Sequence, residues 1–209
     1  MTTAQDLLII TLDMPSARPV ERGDLSLALA GAELIDLLNA GVVRLADARV
    51  LPTGQPADVE GLLAQAAASL PAAARPGSEP HESVDDWLWR RGRGLSAVYL
   101  DALEAEGKLT RERHRRLLVL HSSRMVLVDS PARSRAANRW AADEPVLIAL
   151  AAAVGMRIRR IDEVEGISDD AVASVLAAVI DALTELAGER HRRARKLEDA
   201  ATDNVQRGY

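Results

Sequence analysis

Residues 25–40, LSLALAGAELIDLLNA, leave few folds open to this chain. Their polar side chains Glu33, Asp36 and Asn39 recur every three residues on one side, while Leu27, Leu34, Ile35, Leu37 and Leu38 cover the rest. The segment therefore reads as a helix buried over most of its surface, which needs apolar neighbours on several sides. Gly41 follows at the position where a left-handed residue commonly closes a helix.

The neighbours have to be helices too. Hydrophobic residues make up 48% of the 209, and they are mostly Ala, Leu and Val; there is no Phe, and only three Trp and two Tyr. Ala and Leu lose little entropy on becoming helical. One domain of this length can bury a sizeable core. The expectation is a mainly α, single-domain helical bundle with small β-hairpins, its core at about 5–188 and a basic, polar tail at 189–209.

Apolar spacing predicts helices over 4–12 (short and amphipathic), 25–40, 56–70, 95–106, 130–141, PVLIALAAAVG and 169–188, and one starting at Ser83, where Asp85 and Asp86 suit the positive end of the dipole. Val172, Val175, Val179, Leu183 and Leu186 form one stripe, making 169–188 the predicted central core helix; beyond Leu197 the tail is polar enough to fray. Proline and glycine mark loops at 14–23 and 71–83. Hairpins are predicted at 42–51, turning near Asp47 and Ala48, and at 116–128, turning at 121–123. Helix, glycine and hairpin thus occur twice in the same order, a weak internal repeat and also the plan of winged-helix modules.

Charge and motifs narrow the function. A net charge of -5 argues against sequence-blind attraction to nucleic acid or anionic lipid, so such binding requires a local basic patch. With no Cys there is no disulfide or thiolate site, which agrees with a cytoplasmic setting. The first residues lack a signal-peptide pattern, and no stretch of about 18 apolar residues is expected to span a bilayer; a soluble protein able to lie at a membrane surface is the reading. GRGLSA, residues 92–97, formally fits G-x-G-x-x-A but follows a Trp-Arg helix rather than a buried strand. His81, His114, His121 and His191 share no metal-ligand spacing, and the acids from Asp162 to Asp170 read as a solvated helix start. No enzyme, metal or cofactor is expected.

Three basic clusters remain. Arg190, Arg192, Arg193, Arg195 and Lys196 sit where a helix end would favour cations, and Arg111, Arg113, Arg115 and Arg116 read as a charged strand edge. Arg90, Arg91 and Arg93, in DDWLWRRGRG, gather guanidiniums around two glycines, a donor set suited to phosphate oxygens. Arg18 or Arg22 can join them from the loop at 14–23, before the helix at 25–40. Trp87 and Trp89 lie about 200° apart round a helix, so one is core and the other at a rim.

The order of these features, LAGAELIDLLNAGVVRL, a hairpin, a Pro-rich loop, a Trp helix with basic residues, LEAEGKLTRERHRRLLVLHSSRMVLVD and a closing Ala/Leu-rich bundle, resembles the Golgi phosphoprotein 3 family, its bacterial members in particular. The resemblance implies a mainly helical, non-enzymatic peripheral membrane adaptor that binds phosphatidylinositol 4-phosphate and cytoplasmic tails of membrane proteins. Of the family's four headgroup contacts only Arg93 matches; Glu21, Ala30 and Ser96 stand at the others. The expected ligand is an anionic phospholipid headgroup or membrane surface, held by Arg90, Arg91, Arg93 and Arg18 with weak phosphoinositide selectivity. A winged-helix-like nucleic-acid-binding regulator is the alternative, and a structural partner that forms homo-oligomers is a third reading.

Overall fold

The computed structural model describes residues 2–14, 19–55, 58–71, 82–114, 122–156 and 167–206, without side chains for 111–114, 122–124 and 203–206. Among these residues the chain forms α1 (Thr3–Asp13), α2 (Arg22–Asn39), β1 (Val43–Ala46), β2 (Arg49–Pro52), α3 (Gly61–Ala68), α4 (Val84–Arg91), α5 (Leu95–Ala105), β3 (Leu109–His114), β4 (Ser122–Leu127), α6 (Pro131–Ala141), α7 (Pro145–Ala153) and α8 (Asp170–Gln206). The two sheets are antiparallel pairs, β1 with β2 and β3 with β4. Mainly α structure with small hairpins is what the composition predicts.

The centre of the core is α2, not α8. From Leu25 to Ile35 every residue of α2 is buried, and α1, α3, α4, α5, α7 and α8 all pack on it. Such a helix cannot be amphipathic in the ordinary sense. Likewise α1 buries Thr3, Ala4 and the run Asp6–Ile10, more than the short amphipathic helix expected at 4–12. Gly31 brings α8 against α2: a Cβ there would overlap the Cγ2 of Val179.

Helix α8 buries Val172, Val175, Leu176, Val179, Ala182 and Leu183 and then leaves the body, with every residue from 191 to 202 exposed. It neither ends near 188 nor frays after Leu197. Glu189 bonds Arg192 and Arg193 one turn on, and Ala, Leu, Arg and Lys are good helix formers, so the segment stays helical without tertiary contacts. Contrary to expectation, α8 is long and apolar enough by composition to cross a membrane; here a third of its most apolar 18-residue window is buried against the protein.

Both hairpins follow a helix closed by the same device. Gly41 (φ 68°) donates to the Leu38 carbonyl and Val42 to that of Leu37; Gly107 (φ 68°) and Lys108 donate to Glu104 and Leu103. This double bond at a left-handed glycine realises the repeated plan in the sequence. The first hairpin turns through Asp47 and Ala48, as predicted, and both residues are left-handed. The second differs: β3 starts at Leu109, pairing Leu109 with Leu127 and His114 with Ser122, so Ser122 and Ser123 are strand, not turn. The charged stretch TRERH is thus strand, in keeping with the reading of Arg111 and Arg113 as a charged strand edge, because ladder bonds use backbone groups whatever the side chains. The predicted strand at 116–120 lies outside the described residues. Helix α3 is shorter than the predicted 56–70: 58–60 carry no regular structure, and Glu60 before it is extended.

Candidate functional site

The cluster around DDWLWRRGRG is divided by its own local geometry. The Ser83 hydroxyl caps α4 by accepting the Asp86 N–H at 3.0 Å. That start fixes the helical phase. Trp87 then faces inward, fully buried, and its indole N–H donates to the Ala30 carbonyl of α2 at 3.1 Å. Trp89, about 200° round the axis, is half-buried and lines a groove, so the predicted core-and-rim division holds.

The arginines divide as well. Arg91 reaches α2 and grips the Glu33 carboxylate with both prongs, at 2.7 and 2.9 Å. Glu33 is fully shielded and also accepts the Tyr99 hydroxyl at 3.0 Å. Burial pushes the Glu33 carboxyl pKa up, opposed by its bonds to Arg91 and Tyr99. Burial, and then the Glu33 charge, push the Tyr99 phenol far above its usual value. Arg90 forms a two-pronged pair with Glu82 and lies over the Trp87 ring, 5.1 Å from its centroid. Both guanidiniums are thus engaged by carboxylates, whereas the sequence reading had Arg90, Arg91 and Arg93 acting together on an anion. Their partners are 8 and 58 residues away in sequence, beyond the reach of a local reading.

Arg93 lies in the turn Gly92–Gly94 between α4 and α5, exposed. Two glycines are needed there. A Cβ at Gly92 would lie 2.6 Å from the Leu88 carbonyl oxygen, and Gly94 is left-handed at φ 69°. Across the groove stands Arg22, the exposed first residue of α2. Among the described residues neither Arg22 nor Arg93 makes an ion pair. The groove between them, about 450 Å³, is walled by Leu27, Trp89, Ala97 and Leu186. Arg18 lies outside the described residues, as do the acids 162–165; Arg22, weighed beside Arg18 from the sequence, occupies the site.

The positions where the family's headgroup contacts are replaced now have an environment. Ala30 is fully buried beneath Trp87. Ser96 is buried and bonded to Ser26, hydroxyl to hydroxyl at 2.9 Å. Glu21 is exposed before α2. The sequence matches the model of the Golgi phosphoprotein 3 (GPP34) family over residues 4–207.

The chain belongs to the Golgi phosphoprotein 3 family.

No curated protein matches the chain in a sequence comparison. For this Golgi phosphoprotein 3 family member, the other basic clusters contribute differently from what their sequence implies. Arg190 pairs with Asp24 at 2.6 Å, and Arg192 and Arg193 pair with Glu189. These cations do not sit at a helix end, since α8 continues to Gln206. The side chains of Arg111 and Arg113 lie outside the description, as do Arg115 and Arg116 altogether. No group of acids and histidines among the described residues is arranged to hold a metal ion.

A second cavity, about 670 Å³, lies where α2, α3 and α5 meet, with Asp36, Tyr99 and Glu60 in its wall. Burial raises the Asp36 pKa from 3.8 to about 6, opposed by hydrogen bonds from Thr3 and Ala4 and by the Arg139 charge. No local sequence pattern marked this site, because its walls come from segments far apart in the chain.

Proposed function

We propose that this Golgi phosphoprotein 3 family member is a non-enzymatic peripheral adaptor that docks on anionic membrane surfaces through the groove between Arg22 and Arg93. One observation carries the reading: in a region where Arg90, Arg91 and Arg190 are each held by a carboxylate, these two guanidiniums keep their donors free at the mouth of one groove. Free guanidiniums form strong charge-assisted bonds to phosphate oxygens. Trp89 beside them offers an aromatic body with a polar edge, which suits a membrane–water interface. Selection of phosphatidylinositol 4-phosphate is weak, since Ala30 and Ser96 stand buried and uncharged at two positions of the family's headgroup contacts. A cytoplasmic location, cytoplasmic tails of membrane proteins as further partners, and homo-oligomers complete the proposal.

The winged-helix alternative has less support. A reading helix must project its side chains into a nucleic-acid groove. Helix α2 is buried from Leu25 to Ile35, and α5 turns Asp101 and Glu104 outward. Flotation with phosphatidylglycerol vesicles tests the choice. Wild-type protein and Arg90→Ala should float alike, while Arg22→Ala/Arg93→Ala should lose most binding with an unchanged melting temperature. Binding should fall steeply with salt, as exposed charges are screened within about 8 Å at physiological ionic strength. Undiminished flotation of the double variant overturns the proposal.

A further inference from the structure

We infer that the Arg22–Arg93 groove takes an anionic lipid by its phosphate together with the first part of one acyl chain, not by a polyol headgroup; the inference rests on the adaptor reading and names its ligand. The groove's chemistry is divided. Its cations are Arg22 and Arg93, and the wall between them is Leu27, Trp89, Ala97 and Leu186.

A polyol would need hydrogen-bond partners for each hydroxyl it brought out of water. Among the described residues, the only other side-chain polar groups lining the groove apart from the Trp89 N–H are the hydroxyls of Ser26 and Ser96, and these are already engaged. Both serines are buried. Their hydroxyls bond each other, each also faces the Arg22 carbonyl, at 2.8 and 3.2 Å, and the Ser96 N–H donates to Ser26 Oγ. An inositol ring placed here would set its hydroxyls against Leu27, Ala97 and Leu186. A methylene chain in the same place loses nothing on leaving water and gains by burial.

An absent side chain leaves room for the chain: Gly94 lines the groove, and a Cβ there would meet no atom within 4 Å. At about 450 Å³ the space falls within the roughly 300–1,000 Å³ of small-molecule sites, which are mostly apolar with a few placed polar groups. Charge at the mouth and an apolar wall inside complement an anionic amphiphile.

Calorimetry on the full-length protein tests this with four soluble probes: dodecyl phosphate below its micelle concentration, dodecanol, inorganic phosphate and inositol 1,4-bisphosphate. Dodecyl phosphate should bind at least about tenfold more tightly than the other three, a difference of about 1.4 kcal/mol. Ala97→Trp, at an exposed position of α5, should fill the groove and abolish binding while the melting temperature holds; Ala97→Ser should bind as wild type. Arg22→Ala/Arg93→Ala should weaken dodecyl phosphate about tenfold or more and leave dodecanol unchanged. Inositol bisphosphate binding as tightly as dodecyl phosphate, or dodecyl phosphate binding unaltered in Ala97→Trp, overturns the inference and leaves the adaptor reading standing. If dodecyl phosphate fails to bind while vesicles still recruit the protein through Arg93, the inference falls alone; if vesicles also fail, both fall.

Discussion

Arg91 and Glu33, separated by 58 residues, meet as a two-pronged ion pair in which the carboxylate has no exposed surface. The pair ties α4 to the middle of α2. Removing one partner of a buried pair leaves an uncompensated charge, which costs about 3–5 kcal/mol. Arg91→Ala should therefore destabilise by about that much in urea unfolding, while Arg91→Met/Glu33→Gln recovers most of the loss. Equal stability of Arg91→Ala and wild type would return Arg91 to the list of cations free for a ligand.

Gly31 and Val179 set how closely α2 and α8 approach. Ala is normally the better helix former by about 1 kcal/mol. At this position the added Cβ overlaps Val179, and overpacking typically costs about 1–3 kcal/mol, so Gly31→Ala should destabilise. Gly31→Ala/Val179→Ala should be less destabilised than the sum of the single variants by about 1 kcal/mol. Strict additivity in denaturant titrations would refute the close approach.

Asp36 makes stability depend on pH in an unusual direction for a carboxylate. Its folded pKa, about 6, exceeds the unfolded value near 3.8, so folding favours the neutral acid. That contribution is complete below about pH 4 and is lost as pH rises through 6. Asp36→Asn, which keeps an acceptor for Thr3 and Ala4, should match wild type near pH 4 and exceed it at pH 7 by about 1–2 kcal/mol, less than the full shift implies because the side chain is partly accessible. Melting curves across this range check it; a variant less stable at pH 7 refutes it.

Trp87 and Trp89 should separate scaffold from site. Trp87→Ala empties a fully buried position and should cost about 3–5 kcal/mol. Trp89→Ala should cost about 1 kcal/mol, because a half-buried ring loses less apolar contact, and should lower vesicle binding instead. Reversed stabilities would mean that the phase set by the Ser83 cap is wrong.

Whatever depends on neighbouring residues could be read from the chain alone. Helical periodicity, the glycine closures at Gly41 and Gly107, the left-handed turn at Asp47 and Ala48 and the opposed tryptophans all follow from backbone preferences over a few positions. Family membership was legible for the same reason, as an ordered series of such local features. Which cations are free depends instead on how the helices pack. Arg90, Arg91 and Arg93 are equivalent as a string, yet Glu82 holds the first, Glu33 the second, and none of the described residues the third. Packing likewise made α2 the core and sent α8 past it. Charge pairing and burial are set by which distant segments the packing brings within a few ångströms, where the Coulomb interaction and desolvation act.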